Sequence, residues 1–196
     1  MSILTNHLFD LLATSATTTS KSISSLYNCL HLHELNIATT PLPPCPPTSV
    51  GSASILYSVN STTATPYTCM AYEWISPTTG LVTLAFQLRH DPNFWFLDDV
   101  SVINGVTQML SNEGFETGNL SPWVRTTPSG ACPGAPTTVN GASPRTGSFS
   151  LRDSSNGCTD QISQAFNATS GRIYIVSFWL KSGASGSITT ALVTLS

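Results

Sequence analysis

FWFLDDVSV at residues 94–102 and NEGFETG at residues 112–118 are the two stretches of this sequence that decide how the chain folds. In the first stretch, Phe96, Val100 and Val102 share one side of an extended chain, because strand side chains alternate with a period of two. This pattern predicts the last strand of a β-sandwich. The second stretch predicts a first strand, and turn residues separate the two. One module is therefore expected to end where another begins.

Short apolar stretches separated by turn residues predict an all-β protein. The predicted strands are 54–59, 67–74, 81–88 and 94–102 before the juncture, and 114–116, 147–152, 162–167, 173–181 and 187–195 after it. The strand at 173–181 carries apolar groups on both sides. One side is expected to pack in the core and the other to line a groove.

The LDDVSV ending at 97–102, followed by the NEGFETGNLSPW opening at 112–123, resembles the carbohydrate-binding modules of the galactose-binding-like jelly-roll superfamily. The resemblance covers residues 51–196. It implies a jelly-roll β-sandwich that binds a polysaccharide or another glycan without catalysis. Binding would use aromatic rings that stack on sugars and polar side chains that satisfy sugar hydroxyls.

The same resemblance implies a structural calcium ion. In such modules the ion is held by an acidic residue of the opening strand and another near the end of the closing strand. Glu116 and Asp98 occupy those places, with Asp99 in reserve, and their carboxylate oxygens are the hard ligands that calcium takes. The alternative is that Asp98 caps a loop and Glu116 is solvated.

Five residues are candidates for contact with a sugar. Trp179 leads, because it lies on the strand side opposite the core side of residues 173–181, and Trp95 and Trp123 follow. Arg125 and Gln164 are the candidate hydrogen-bonding partners. The alternative for each tryptophan is a packed core ring, which is the commoner fate of aromatic residues in small sandwiches.

An internal similarity organises the rest of the chain. GSITTALV at 186–193 resembles GSASILYS at 51–58. Residues 111–196 are then the front part of one module, and residues 51–104 are the back part of the preceding module. Residues 105–110 are a linker between them. The chain is therefore interpreted as an out-of-phase fragment of a tandem array. The two parts are expected to close as a circularly permuted jelly roll, or between chains as a domain-swapped dimer.

Residues 1–50 are interpreted as a poorly ordered tail that ends in a linker with five prolines at 41–47. A helical hairpin docked on the sandwich is the alternative. The first twelve residues lack the apolar run of a signal peptide, so the chain is expected to be a fragment of a longer secreted protein, or else cytosolic without disulfides.

The cysteines indicate the compartment in which the protein works, and the net charge indicates which partners it can bind. Of five cysteines, Cys132 and Cys158 lie in loop-like contexts and are the predicted disulfide, which would place the protein outside the cell. Two buried thiols are the alternative. The net charge of -3 supplies no basic field, which argues against nucleic acid and anionic membrane as partners, and no stretch approaches the length of a membrane span.

The sequence carries no signature of an enzyme. G-x-S-x-G, a phosphate-binding glycine loop and a dinucleotide fingerprint are all missing from it. Adjacent Asp98 and Asp99 point to opposite sides of a strand, which does not suit glycoside hydrolysis. The competing function is a structural or adhesive extracellular repeat. Two exposed coplanar tryptophans would favour sugar binding, and a surface without exposed rings would favour the structural role.

Overall fold

The computed structural model describes residues 41–61, 63–131 and 136–196, all of which belong to one compact unit, Thr39–Ser196. The predictions of a tail or a helical hairpin before residue 41 lie outside the described residues. In chain order the strands are β1 Thr48–Gly51, β2 Ile55–Asn60, β3 Thr68–Ile75, β4 Gly80–Asp91, β5 Trp95–Asn104, β6 Thr107–Gln108, β7 Val124–Thr126, β8 Thr138–Asn140, β9 Ser150–Asp153, β10 Asp160–Ala168, β11 Ile173–Ser182 and β12 Ile188–Leu195.

These strands form two sheets. The seven-stranded sheet has the order β1-β3-β11-β5-β9-β8, with β6 also paired to β5, and the five-stranded sheet has the order β2-β12-β4-β10-β7. Both sheets contribute fully buried apolar side chains to one core, among them Phe86 of β4 and Phe178 of β11, whose rings meet edge to face at 5.1 Å. The predicted all-β sandwich is confirmed.

Strands from before and after the sequence juncture are interleaved in the middle of each sheet. β11 pairs with β3 on one side and β5 on the other, and β12 lies between β2 and β4. The two stretches that resemble each other in sequence therefore become antiparallel neighbours. Both sheets are completed within one chain here, while the tandem-array origin and a domain-swapped dimer stay predictions.

The sandwich begins earlier than residue 51. β1 starts at Thr48 and runs parallel to β3 at the edge of the seven-stranded sheet. Just before it, Cys45 forms a disulfide with Cys69 at the start of β3. Residues 45–50 are thus part of the sandwich, and Cys45, which had no evident role in the sequence, joins the proline-rich segment to the sheet.

The predicted opening strand at 114–116 is wrong. Residues 111–121 form a series of turns, in which Asn112 and Phe115 have positive φ values of 53° and 60°. Phe115 is fully buried, so the turns bring its ring into the end of the core. These positive φ values lie outside the extended region that a strand requires.

A bulge in β5 changes which side chains face the core. Asp99 and Val100 together lie opposite Phe178 of β11, and Asp99 takes a φ of 47°. An extra residue of this kind reverses the alternation of side chains along the strand. As a result Trp95 lies in the core with 2% exposure, and Phe96 lies on the outer face of the sheet. The expectation that Phe96 and Val100 share the core side is wrong for this reason.

Candidate functional site

Trp179 lies half-buried on the outer face of the seven-stranded sheet. The guanidinium carbon of Arg145 sits 3.6 Å above the centre of its ring, and the same guanidinium pairs with the carboxylate of Asp99. A cation–π contact of this kind occupies the ring face that a sugar would use for stacking. The leading candidate is therefore on an outer face, as expected, but its ring is covered.

A groove of about 170 Å³ runs beside this ring. One wall is the sheet surface, with Trp179, Ile103 and Ile175, and the other wall is the segment 41–44. We call residues 41–47 the strap and this space the strap groove. The strap is joined to the sheet by Cys45–Cys69, and Cys69 is the direct neighbour of Trp179 across β3 and β11.

Trp95 and Trp123 cannot stack on a sugar, because both rings are in the core. They are 2% and 4% exposed, respectively. The Nε1–H of Trp95 donates to the carbonyl oxygen of Arg89 at 3.1 Å, and that of Trp123 donates to the carbonyl oxygen of Asn112 at 3.1 Å. The prediction that these two rings contact sugar is wrong: the bulge turns Trp95 inward, and Trp123 packs against Phe115.

Arg125 and Gln164 lie on the five-stranded sheet, away from the sheet that carries Trp179. Arg125 forms a two-point ion pair with Asp160, at 2.8 and 2.7 Å. Gln164 is buried, accepts from the N–H of Ser111 at 2.8 Å and donates to the carbonyl oxygen of Ser111 at 2.9 Å. Both side chains are engaged in the fold and lie on the other sheet from Trp179, so the structure does not bring them together with that ring. Their contact with a sugar stays a prediction.

The acidic residues predicted to hold calcium do come together, around the loop that carries Arg145. Asp98 is fully buried and accepts from the N–H groups of Asp99 at 2.9 Å, Arg145 at 2.8 Å and Thr146 at 3.4 Å. Asp99 accepts from the Thr146 hydroxyl at 2.6 Å and from the Arg145 guanidinium. Burial raises the pKa of Asp98 to about 6, against the opposing effect of its backbone donors, and the nearby charge of Asp99 adds to the increase.

Glu116 meets the same loop from the other side. Its two carboxylate oxygens accept from the N–H groups of Ser148 at 2.9 Å and Phe149 at 3.2 Å. Gly147, with a φ of 62°, leaves the space that the Glu116 carboxylate fills. A Cβ at Gly114 would lie 3.6 Å from both Asp99 and Glu116, so this glycine separates the two acids.

This arrangement does not fit a calcium ion. All six carboxylate oxygens of Asp98, Asp99 and Glu116 already accept a donor, most of them from residues 145–149. Calcium needs six to eight oxygen ligands, and a guanidinium already provides the local positive charge. Within the ranges described, no group of three or more His, Cys, Asp or Glu side chains is placed to hold a metal ion.

The predicted disulfide between Cys132 and Cys158 is described only at its Cys158 end. Cys158 is disulfide-bonded, and its predicted partner, Cys132, lies outside the described residues. The Cys45–Cys69 bond is the one whose two ends are both described. Sequence analysis missed this pair, because a separation of 24 residues with no motif around either cysteine does not indicate a pairing.

A buried acidic network that sequence analysis also missed joins the two sheets. The Thr137 hydroxyl lies 2.9 Å from Oδ1 of Asp153 and 2.9 Å from Oδ2 of Asp160. The Ser155 hydroxyl lies 2.9 Å from Oδ2 of Asp153 and 3.0 Å from the carbonyl oxygen of Leu88. Burial raises the pKa of Asp153 to about 7, and the charge of Asp160 adds to this increase.

Another groove lies on the outer face of the five-stranded sheet. It measures about 290 Å³, and its lining includes Ser58, Asn60, Gln87, Thr159 and Thr190. We call it the polar groove. Its side chains offer hydroxyl and amide groups without a formal charge.

No protein family, no characterised protein and no solved structure matches this chain. Across the part of the chain that the structure describes, no helix has the length and apolar character needed to cross a membrane.

Proposed function

We propose that the chain is a non-catalytic structural or adhesive module of an extracellular protein. The observation that carries this proposal is the placement of its four tryptophans. Trp74, Trp95 and Trp123 are 2%, 2% and 4% exposed, and Trp179 lies under Arg145. Sugar binding by stacking needs a ring face open to solvent, and none of the four indoles offers one.

Two further rings are also engaged with side chains of the same molecule. The Arg152 guanidinium lies 3.6 Å from the ring centre of Phe94, and the Lys181 ammonium lies 5.1 Å from that of Phe96. Contacts of this kind consolidate a surface, and they leave fewer apolar ring faces for a ligand.

The disulfides support an extracellular setting. Cys45–Cys69 closes a loop across the edge of the seven-stranded sheet, and Cys158 is also bonded. Such bonds persist in oxidising compartments and are rare in the cytosol. A module that endures outside the cell gains from this bond, because closing a loop of this length contributes roughly 3 kcal/mol by limiting the unfolded chain.

The test is a binding screen on the purified, oxidised full chain against a glycan array and insoluble polysaccharides, with limited proteolysis in parallel. We expect a folded, monodisperse, protease-resistant protein that binds no glycan. Binding that disappears in Trp179→Ala, with an unchanged thermal midpoint, would contradict this proposal and restore the stacking site. Trp74→Phe is the matched control, because it alters a tryptophan that is 2% exposed and packs in the core.

A second candidate function is carbohydrate binding in the polar groove. The observation that favours it is the set of hydroxyl and amide groups there, including Gln87, whose Nε2–H donates to Oε1 of Gln161 at 2.9 Å. Planar amides and hydroxyls match the hydrogen-bonding groups of sugars. In this case Gln87→Ala abolishes glycan binding, whereas Thr83→Ala, on the same strand outside the groove, leaves it intact.

A further inference from the structure

The strap is held against the sheet in an unusual way. Five of its seven residues are prolines, which have no N–H to donate. No hydrogen bond joins the described residues 41–47 to the sheet, so the attachment consists of side-chain packing and the Cys45–Cys69 disulfide. Pro43 and Cys45 are half-buried, and the residues on either side of them are exposed, with Leu42 at 93%.

The sheet surface beneath the strap carries small buried side chains and half-buried apolar side chains. Ala71 and Ser177 are 5% and 2% exposed, although their strand positions alternate with core positions and they lie on the outer face. Ile103, Ile175 and Trp179 extend this surface as half-buried apolar side chains. The packing is incomplete, because the strap groove of about 170 Å³ remains between the two walls.

Trp179 adds an independent observation. Its Nε1 atom is buried and has no hydrogen-bond partner. A buried donor without an acceptor costs free energy that a bound carbonyl oxygen would recover. A proline-rich segment offers such oxygens, since its extended backbone makes no internal hydrogen bonds and leaves every carbonyl free.

We propose that the sheet surface beneath the strap, with Ile103, Ile175 and Trp179, is a docking site for extended proline-rich peptide segments, which the chain's own strap covers and the Cys45–Cys69 disulfide keeps covered. Such segments usually dock in apolar grooves, where little conformational entropy is lost. Here Ile103, Ile175 and the part of Trp179 that Arg145 leaves uncovered supply the apolar contact. In a variant that lacks this disulfide, a proline-rich segment of another molecule competes for the same surface. The assignment holds whether the module is structural or binds sugar.

The probe is a synthetic peptide of residues 39–47 in which serine replaces Cys45. A second peptide, with glycine in place of the prolines at 41, 43 and 44, is its control. The protein is the full chain, either oxidised wild type or an open variant that combines Cys45→Ser, Cys69→Ser, Pro43→Gly and Pro44→Gly. Substitution is preferable to a reductant, because a reductant would also reach the disulfide of Cys158.

Tryptophan fluorescence reports on the groove, since Trp179 is the one indole of the four that is not fully buried. We expect stronger acrylamide quenching in the open variant, and peptide binding at least about tenfold tighter than to the oxidised protein, because a tethered strap competes at an effective concentration on the order of millimolar. The glycine peptide should not bind. Trp179→Phe in the open variant, which keeps a ring and removes the N–H, should weaken binding about two- to tenfold.

The proposal is overturned if the open variant is folded and more strongly quenched yet binds neither peptide, or binds both equally. Binding of a glycan by the open variant, in place of the peptide, would also overturn it and assign the surface to sugar. Should the open variant fail to fold, Pro43→Gly/Pro44→Gly with the disulfide intact takes its place. Unchanged quenching and no peptide binding in that variant would equally refute the assignment.

Discussion

Replacing Asp153 with asparagine is expected to remove most of the pH dependence of the unfolding free energy between pH 6 and 8. The reason is a count of protons. Each hydroxyl carries one proton, but Thr137 faces two carboxylates, and Ser155 faces Asp153 and a carbonyl oxygen. When Asp153 is ionised, the two hydroxyl protons of Thr137 and Ser155 are shared among four acceptor oxygens. A proton on Asp153 supplies a third donor, and the side-chain amide introduced by Asp153→Asn would supply one in the same place.

The magnitude follows from the pKa. The pKa of Asp153 is raised from 3.8 to about 7 by burial, with a further contribution from Asp160, which is itself paired with Arg125. The folded state therefore binds this proton more tightly than the unfolded chain does. The resulting stabilisation is complete below about pH 4 and is lost as the pH rises through about 7. Three pKa units correspond to about 4 kcal/mol, or roughly 10 °C in thermal midpoint for a domain of this size.

The assay is thermal or urea unfolding of the wild type and Asp153→Asn from pH 5 to pH 8. The wild-type midpoint should fall as the pH rises, and the variant should be flat above pH 6. The pKa of Asp98 is raised to about 6, so its titration makes the midpoint of both proteins fall slightly with rising pH below about pH 6. Below about pH 4 the trend reverses, because Arg89 holds the pKa of Asp91 below its ordinary value.

Asp160→Asn is the control for this prediction. It leaves the guanidinium of Arg125 without its partner and should lower the midpoint at every pH. It should flatten the curve much less than Asp153→Asn does, because burial is a larger cause of the raised pKa of Asp153 than the charge of Asp160 is. A wild-type midpoint that is constant or rises from pH 5 to 8 would refute the reasoning, and so would an Asp153→Asn variant that keeps the wild-type slope above pH 6.

Three further predictions concern the ion pair, the glycine loop and calcium. Arg125→Ala should cost about 3–5 kcal/mol in urea unfolding, because Asp160 would be left buried and unpaired; a loss below about 1 kcal/mol would mean that water replaces the guanidinium. Gly147→Ala should cost more than Gly105→Ala, since both glycines have φ near 60° but only the first leaves room for the Glu116 carboxylate; equal losses would show that backbone strain alone is responsible. A chelator should leave the thermal midpoint unchanged, because the carboxylates already have donors, and a fall of several degrees would restore the calcium prediction.

The strands could be predicted from local alternation. In β4 the buried residues Val82, Leu84, Phe86 and Leu88 recur at every second position, and the predicted strand 81–88 lies inside the observed one. A period of two is a property of consecutive residues, so it is visible without any knowledge of the partners. The short edge strands β1, β6, β7 and β8 were missed, since two to four residues are too few to display a period.

The candidate site was harder to predict. Asp98, Asp99 and Glu116 all contact the loop at residues 145–149, and the resemblance had placed the closing and opening segments side by side. Their chemistry differs from the expectation, because Arg145 and its neighbours reach the carboxylates from a loop 46 to 48 residues further along the chain from Asp98 and Asp99. Nothing near the acids in the sequence indicates those donors.

By itself, then, the sequence determined that the chain is an all-β sandwich and where most of its strands lie, because burial alternates residue by residue. Only the tertiary structure decided which side of β5 faces the core, that Cys45 pairs with Cys69, and that Arg145 covers Trp179. These features depend on contacts between residues far apart in the chain. One extra residue opposite Phe178 is enough to send Trp95 inward, and such an insertion exists only relative to the strand beside it.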